Sequence, residues 1–441
     1  MTLTEAAYWT KRLSLVVVFL LVVSIGGLYL YLNWPTRQTI PNFEKANYAC
    51  TPTRDEFIKH TLSIPSLELK EGSQLEFGVE TLTGRIENLP RIVNVYRYDN
   101  PGETLSSKEE AQIIAENLGF DPDAMTRKGT SAYYWQDSET ARELTVQARN
   151  LTFTLNTDFT NEKAFPENIR ELPTTEEATR QAVSILQSTG LLTSDYASGQ
   201  PAAVLIKIRN DGSFTMARSK AEADLIRIDF FRTIPLLEVQ DNQPNYSKIL
   251  TQLQEFDVEN ETVTTSEGQV EIYKFITDIY TLPPQKSYIS VYIGPDDNRK
   301  PAAREIYSID YTNWVVSNES CGTYELLSAN EAVAKLQNGE GSLVYLTEKN
   351  GDDVIDYTPK KVTQFSILSV TLGYYNSPEE STFLQPIYVI FGEATFESGI
   401  LGRFYYYVPA INYDKVTDRV QEQKPVIETP DDEFSPTGRF L

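Results

Sequence analysis

Three stretches of the chain combine a helix-start signal with apolar positions spaced three or four residues apart. In each stretch Ser or Thr stands three residues before Glu, which is the capping box that closes the first turn of a helix. The apolar stripe that follows ends before a glycine, as helices often do. The pattern predicts three amphipathic helices whose capping pairs are Ser107 with Glu110, Thr174 with Glu177, and Ser328 with Glu331.

Runs of alternating apolar and polar residues follow these helix starts, as in ELTVQA at 143–148 and VLIKIRN at 204–210. Alternation of period two is typical of a half-buried strand. A further helix is predicted over 245–256, with Asn245 as its cap, and strands again follow it. The chain is therefore predicted to be α+β, with four helix-plus-antiparallel-meander modules arranged in two lobes. The alternative is that the capping boxes recur by chance, because they are common local signals.

An uncharged, apolar run occupies residues 13–32. A helix of this length rises about 30 Å, which matches the hydrocarbon core of a bilayer. Lys11 and Arg12 precede the run, so the positive-inside rule predicts a cytoplasmic N-terminus. The sequence thus predicts a single-pass protein of the cytoplasmic membrane with the bulk of the chain outside. A cleaved signal peptide is the alternative.

These patterns also predict where the parts of the chain begin and end. The polar last stretch contains several prolines and too few apolar residues to pack, so it is predicted to be disordered. The predicted parts are a cytoplasmic N-terminus (1–12), a transmembrane helix (13–34), a membrane-proximal tether with strands (35–100), a first lobe of two modules (101–235), a second lobe of two modules (236–412) and a disordered tail (413–441).

The chain carries a formal net charge of -23, with 62 acidic against 39 basic residues. Binding to a phosphate backbone depends on Lys and Arg releasing counterions, and a surface of this charge would repel a polyanion. Nucleic acid is therefore not a predicted partner.

The chain has two cysteines, Cys50 and Cys321. In an oxidising compartment they could form a disulfide that joins the N-terminal segment to the distal half of the chain. Two free, buried thiols are the alternative, because cysteine packs as a small apolar residue. The sequence alone does not choose between these states.

No catalytic signature accompanies these elements. His60 is the single histidine, so a Ser-His-Asp triad would depend on it and a His-rich metal site is excluded. The chain has no G-x-S-x-G elbow, no Walker A loop, no H-E-x-x-H and no C-x-x-C. We therefore predict no catalytic, cofactor-binding or metal-ligating residues, and no cofactor.

Paired carboxylates occur at Asp296 and Asp297, at Asp352 and Asp353, and at Asp431 and Asp432. Each pair stands beside Gly or Pro, which favours solvated turns over calcium ligands. A glycoside hydrolase needs only two suitably spaced carboxylates, so a glycan hydrolase is the alternative to a non-enzymatic protein.

Aromatic residues cluster at 133–135, 230–231, 374–375 and 404–407. Adjacent rings in a strand point to opposite faces, so half of each cluster is expected to pack inward. Core packing is the favoured use, and a sugar- or peptide-binding surface is the alternative.

Two apolar strands carry a family resemblance. One ends in Gly373-Tyr374-Tyr375 and the next begins with Leu384-Gln385-Pro386. Together with DFFRTIP at 229–235 and the S/T-x-x-E-A helix starts, the region 105–412 resembles the PepSY-like modules of YycH/YycI-type proteins, which are membrane-anchored regulators of a sensor kinase. The resemblance implies an exported α+β region that regulates through protein contacts, and it supplies no catalytic residues.

The expected function is therefore that of a non-enzymatic, membrane-anchored extracytoplasmic protein. It would bind a protein or peptide partner, through exposed sheet edges among other surfaces, and so regulate or scaffold a cell-envelope complex. An acidic cleft would favour the hydrolase alternative, whereas an open sheet edge would favour the binding protein.

Overall fold

A computed structural model describes residues 45–419, except 87–88, 100–101, 130, 168–170, 242–248, 251–252, 254–255, 266–267, 313 and 350. Strands account for more of the described residues than helices do, and they form two large β-sheets, whereas the helices are short by comparison. The helices are α1 (Arg54–Ile58), α2 (Ser107–Asn117), α3 (Thr175–Ser188), α4 (Ser194–Ser198) and α5 (Ala329–Gln337).

The first sheet has nine strands, numbered along the chain. Their spatial order is β3 (Thr126–Lys128), β4 (Ala132–Asp137), β5 (Arg142–Gln147), β6 (Phe153–Thr157), β14 (Ile306–Tyr311), β13 (Ile289–Ile293), β9 (Leu225–Asp229), β7 (Ala202–Ile208) and β8 (Phe214–Met216). One face of this sheet is apolar at alternate positions and packs against the apolar stripes of α2 and α3.

The second sheet has ten strands. Its main path is β10 (Arg232–Gln240), β12 (Gly268–Tyr280), β17 (Val362–Tyr375), β18 (Phe383–Phe396), β19 (Leu401–Pro409) and β16 (Ser342–Glu348). Four strands join this path from the side: β1 (Phe77–Val79) on β17, β11 (Asp257–Thr265) on β12, and β2 (Ile92–Tyr98) on β18 with β15 (Val316–Glu325) beyond it. Helix α5 packs its apolar stripe into the core of this sheet.

The predicted helix-plus-meander modules are wrong, because the fold is mostly β with strands that pair over long distances. Strands β13 and β14 belong in the prediction to the second lobe, yet they insert into the first sheet between β6 and β9. Ile309 lies opposite Leu155, and Val291 lies opposite Ile228. Alternation reports which side chains share a face of a strand, but it does not report which strand lies beside it.

The aromatic clusters pack into the core, as favoured from the sequence. Tyr133 and Trp135 are buried in the first sheet, and Tyr374, Tyr375 and Tyr407 are buried in the second. Burying the ring of a tyrosine requires a partner for its hydroxyl, and Tyr374 donates to the Asn94 carbonyl at 2.7 Å. These rings therefore do not form an exposed sugar-binding surface.

Two of the three predicted capping boxes are confirmed. The hydroxyls of Thr174 and Ser328 accept from the backbone N–H of Glu177 and Glu331, and each glutamate accepts from the backbone of its cap. The third box, Ser107 with Glu110, is wrong because the helix starts one residue earlier. Ser106 is the N-cap of α2 in a helical backbone conformation, and its side chain forms no cap bond. The Ser107 hydroxyl instead accepts from the Thr104 N–H at 3.0 Å.

Replacing Ser328 with alanine is expected to lower the free energy of unfolding by about 1 kcal/mol, because the Glu331 N–H loses its acceptor at 3.2 Å. The matched control is Ser106→Ala, which removes an N-cap hydroxyl that forms no cap bond. Urea denaturation followed by far-UV circular dichroism measures both. Equal effects of the two substitutions would contradict a role for the Ser328 cap.

The fourth predicted helix, over 245–256, falls largely outside the described residues, as does its predicted cap Asn245. Of its apolar stripe, Leu253 is buried and Ile249, Leu250 and Phe256 pack with it against β10 and β12. The predicted stripe therefore covers one face of the second sheet.

Across the part of the chain that the structure describes, no helix has the length and apolar character needed to cross a membrane. The predicted span at 13–34 and the predicted cytoplasmic segment at 1–12 lie outside the described residues. The structure therefore does not support the prediction of a single-pass protein of the cytoplasmic membrane with its N-terminus inside and the bulk of the chain outside.

The first residues of the predicted disordered tail are folded. Tyr413 lies in a short 3₁₀ turn, and its hydroxyl accepts from the Leu62 N–H at 3.0 Å and donates to Gln385 at 2.8 Å. Val416 is buried in the core of the second sheet. The remainder, residues 420–441, lies outside the described part.

Cys50 and Cys321 form a disulfide. The bond ties the segment before α1 to β15, and hydrogen bonds accompany it: Tyr48 N–H donates to the Thr323 carbonyl at 3.1 Å, and Thr323 N–H donates to Asn47 Oδ1 at 2.8 Å. Of the two states that the sequence left open, the structure contains the disulfide.

Candidate functional site: a groove between two strand edges

Strand β10 forms one end of the path through the second sheet. Among the described residues it pairs with β12 alone, so its other edge carries backbone groups that no described strand satisfies. Pro235 lies within β10 at a shift in its register with β12, and proline, which has no N–H to donate, is found in edge strands and at such bulges. The Pro235 carbonyl accepts from the buried Tyr96 hydroxyl at 2.6 Å.

Strand β15 presents a second edge nearby. Its register with β2 shifts between Val316 and Ser320, so Ser317 and Asn318 lie in an irregular stretch. Such bulges bend a strand and redirect its side chains, and they are frequent beside functional sites. Ser317 is half-buried and Asn318 is exposed.

The two edges border a single cavity of about 510 Å³, which we call the edge groove. A volume of this size lies within the range of ligand-binding clefts. The lining residues come from α4 and its N-cap, from β10, β11 and β12, and from the start of β15: Thr193, Ser194, Asp195, Arg232, Thr233, Ile234, Pro235, Glu259, Lys274, Ile276, Val315, Val316, Ser317 and Asn318. The four residues contributed by β10 correspond to about 13 Å of extended chain.

Arg232 lies at the inner end of the edge groove and is 3% exposed. Its guanidinium forms an ion pair with Asp195, donates to the Trp314 carbonyl at 2.9 Å and lies over the Tyr196 ring at 4.8 Å. Its Nε–H is buried with no hydrogen-bond partner among the described residues. A buried donor without an acceptor is costly, so this arrangement of Arg232 is unfavourable at that atom.

Lys274 supplies the second cation of the groove, and three glutamates surround it. Its Nζ lies 2.7 Å from Glu261 Oε2, and in the sheet register it stands opposite Glu259 on β11 and Glu238 on β10. Burial raises the pKa of Glu238, and the charges of Glu261 and of Glu319 raise it further. Burial alone would lower the pKa of Lys274, but the hydrogen bond with Glu261 raises it above its ordinary value. This end of the groove is therefore acidic.

The predicted turn at Asp296 and Asp297 is present, but Asp297 is fully buried instead of solvated. Its carboxylate accepts from Arg299 at 2.7 and 3.0 Å, and although burial alone would raise its pKa, these bonds hold the pKa below its ordinary value. The fully buried Lys300 has its Nζ 3.5 Å from Asp297 and 3.4 Å from the centre of the Tyr307 ring. Burial lowers the pKa of Lys300 to about 7, and the nearby charge of Arg142 adds to that effect.

The second predicted carboxylate pair joins neighbouring elements. Asp352 accepts from the Thr215 hydroxyl and from the Met216 N–H at 2.9 Å, which ties the loop after β16 to β8 of the first sheet. Asp353 accepts from the Tyr345 hydroxyl at 2.6 Å. Neither these carboxylates nor Asp297 line the edge groove. The third pair, Asp431 and Asp432, lies outside the described residues.

His60 lies far from this chemistry in the fold. Its ring packs edge-on against Phe383, and its backbone carbonyl accepts from Gln385 at 2.6 Å. Through these contacts His60 packs against β18 of the second sheet.

A second cavity of about 660 Å³ opens in the first sheet. Among the described residues it brings no two strand edges together, and residues 168–170, which precede its lining residue Glu171 in the chain, lie outside the described part. Its lining is largely apolar: Phe165, Glu171, Leu172, Lys220, Ala221, Ala223, Asp224 and Pro295.

Of the stretches singled out in the sequence, DFFRTIP at 229–235 contributes to the edge groove, through Arg232, Thr233, Ile234 and Pro235, but it was not singled out as a binding site. The groove is assembled from segments that are far apart in the chain, and each segment reads as an ordinary strand or helix start on its own. Pro235, within an otherwise strand-like run, is the one sequence signal that could have indicated a free edge.

No protein-family model matches the chain, and no curated protein matches it. Among solved structures, an uncharacterized protein from Eubacterium rectale ATCC 33656 is similar over 85% of this chain and 97% of that chain, with 11% sequence identity and a TM-score of 0.36. A likeness at this level carries no argument about function.

Proposed function

We propose that the chain is a non-enzymatic protein that binds an extended segment of a partner protein or peptide in the edge groove. The observation that carries the proposal is that the free edge of β10 and the irregular start of β15 border one cavity. An extended peptide can pair with a free strand edge through its backbone, while neighbouring pockets select its side chains.

The chemistry of the groove supports binding more than hydrolysis. A glycosidase needs two carboxylates that flank one bond, with one of them kept protonated. The acidic residues that line the edge groove are Asp195, which forms an ion pair with Arg232, and Glu259, which stands opposite Lys274 in the sheet register, so both carboxylates have a cationic neighbour. The regulatory or scaffolding role that the resemblance to YycH/YycI-type proteins implies is retained as part of the proposal, through protein contacts of this kind.

The proposal predicts that heptapeptides selected from a random phage-displayed library on the purified full chain bind at the edge groove. Replacing Ser317 with tryptophan places a large ring between the two strand edges, so we expect it to weaken the binding of the selected peptides by about tenfold or more. Fluorescence anisotropy of the synthesised peptides measures the affinities.

The matched control is Met216→Trp, which places the same ring on β8, away from the groove. Asn318→Trp provides a second blocking variant if Ser317→Trp does not fold, and circular dichroism reports folding. Failure to select any peptide, or equal affinity for the blocked and control variants, would refute the proposal.

A further inference from the structure

The charges of the edge groove identify the kind of segment that fits it. Lys274 is the one cation on β12 that lines the groove, and Glu238, Glu259 and Glu261 stand across or beside it. Three carboxylates around one ammonium leave an excess of negative charge. The charge of Glu319 on β15 adds to it, because it acts on Glu238. A second cation placed here would relieve this repulsion.

Arg232 does not compensate this excess. Its charge is already paired with Asp195, and the pair lies at the inner end of the groove. The end of the groove around Lys274 therefore keeps its excess of negative charge.

Building on the proposed function, we infer that the edge groove selects an extended segment that carries a lysine or arginine side chain. The cation of the segment lies among Glu238, Glu259 and Glu261. In the absence of a partner the Lys274 ammonium neutralises part of the negative charge at the acidic end of the groove. It therefore competes with the incoming cation for the same carboxylates. The net charge of -23 favours the approach of a basic partner as well.

The probe is the capped heptapeptide STVKVTS, compared with the same peptide in which norleucine replaces lysine. Norleucine keeps the length of the side chain and removes its charge. Isothermal titration calorimetry with the full chain is expected to give about tenfold tighter binding for the lysine peptide. The difference should shrink between about 50 mM and about 300 mM salt, because added ions screen partly exposed charges.

Two substitutions separate selection by charge from a general effect on the groove. Glu259→Gln should weaken the binding of the lysine peptide by about tenfold and leave the affinity for the norleucine peptide unchanged. Lys274→Met removes the competing cation, so it should increase the affinity for the lysine peptide and not for the norleucine peptide. The control Glu109→Gln makes the same charge change on the exposed surface of α2, and it should alter neither affinity.

Equal binding of the two peptides would overturn the selection for a cation while leaving the groove as a peptide site. Binding of neither peptide, together with a failed library selection, would overturn the groove itself. Self-association in sedimentation velocity that Ser317→Trp abolishes would show that a second copy of the chain is the occupant, and that result would overturn the inference.

Discussion

Replacing both Cys50 and Cys321 with alanine is expected to lower the free energy of unfolding by about 5 kcal/mol. The disulfide joins residues separated by 271 positions, so it removes a large share of the conformational freedom of the unfolded chain. Other native contacts flank the bond, among them the hydrogen bond from the Tyr48 N–H to the Thr323 carbonyl, and we expect them to persist in the variant. The effect should therefore arise mainly in the unfolded state.

Urea denaturation of the oxidised wild type and of the double variant measures this loss. The matched control is the wild type unfolded in the presence of a phosphine reductant, which should reproduce the loss, whereas the reductant should not affect the variant. A decrease below about 1 kcal/mol would show that the bond does not constrain the unfolded chain as the chain-entropy argument requires.

Local features of the fold were predictable because their causes are local. Thr174 and Ser328 cap their helices through groups only three residues away, so the sequence carries the whole signal. Ser107 shows the limit of this reasoning. The adjacent Ser106 also has a hydroxyl, and one residue of shift at a helix start removes the capping box while leaving the helix in place.

The sheets were not predictable in the same way because strand order depends on partners that are distant in the chain. Leu155 on β6 lies opposite Ile309, and no periodic pattern in either segment specifies the other. Grouping each helix with the strands that follow it assigned β13 and β14 to the wrong sheet. The error came from treating neighbours in sequence as neighbours in space, which holds for many connections but not for these.

The candidate site was hidden from the sequence for the same reason. The edge groove combines Asp195, Arg232, Lys274 and Ser317, which acquire a common role only when β10, β12 and β15 are placed together. For Asp297 the sequence pattern gave a wrong prediction. Its Gly and Pro neighbours predicted a solvated turn, but the Asp297 side chain is buried, and Arg299 and Lys300 pair with its carboxylate.

The burial of Lys300 makes the stability of the protein depend on pH. Burial, with the added effect of the Arg142 charge, lowers the pKa of the folded Lys300 to about 7, whereas an unfolded lysine keeps the ordinary value of 10.5. Between these two values the unfolded state binds the proton and the folded state does not. Since stability rises with pH wherever the unfolded state binds more protons, the contribution of Lys300 rises by about 1.4 kcal/mol per pH unit from pH 7 to 10.5.

Charged groups of both signs face Lys300, and burial is the main reason that its amine is neutral. Arg142 comes from β5, Arg299 and Asp297 come from the same loop as Lys300, and Asp137 at the end of β4 pairs with Arg142. Two guanidinium groups and two carboxylates balance without a further cation. Below pH 7 the folded state must hold a third positive charge beside the Tyr307 ring, and this charge is buried away from water.

We therefore expect Lys300→Met, which keeps an apolar chain of similar length, to remove this pH dependence. The free energy of unfolding of the variant relative to wild type should be highest near pH 6 and should fall by about 1.4 kcal/mol per unit above pH 7. Urea denaturation between about pH 6 and about pH 9.5 measures the difference, below the range in which tyrosines ordinarily ionise. Lys108→Met, on the exposed side of α2, is the control. Its free energy of unfolding should differ from that of wild type by the same amount at every pH. Parallel curves for wild type and Lys300→Met would show that Lys300 remains charged in the folded protein.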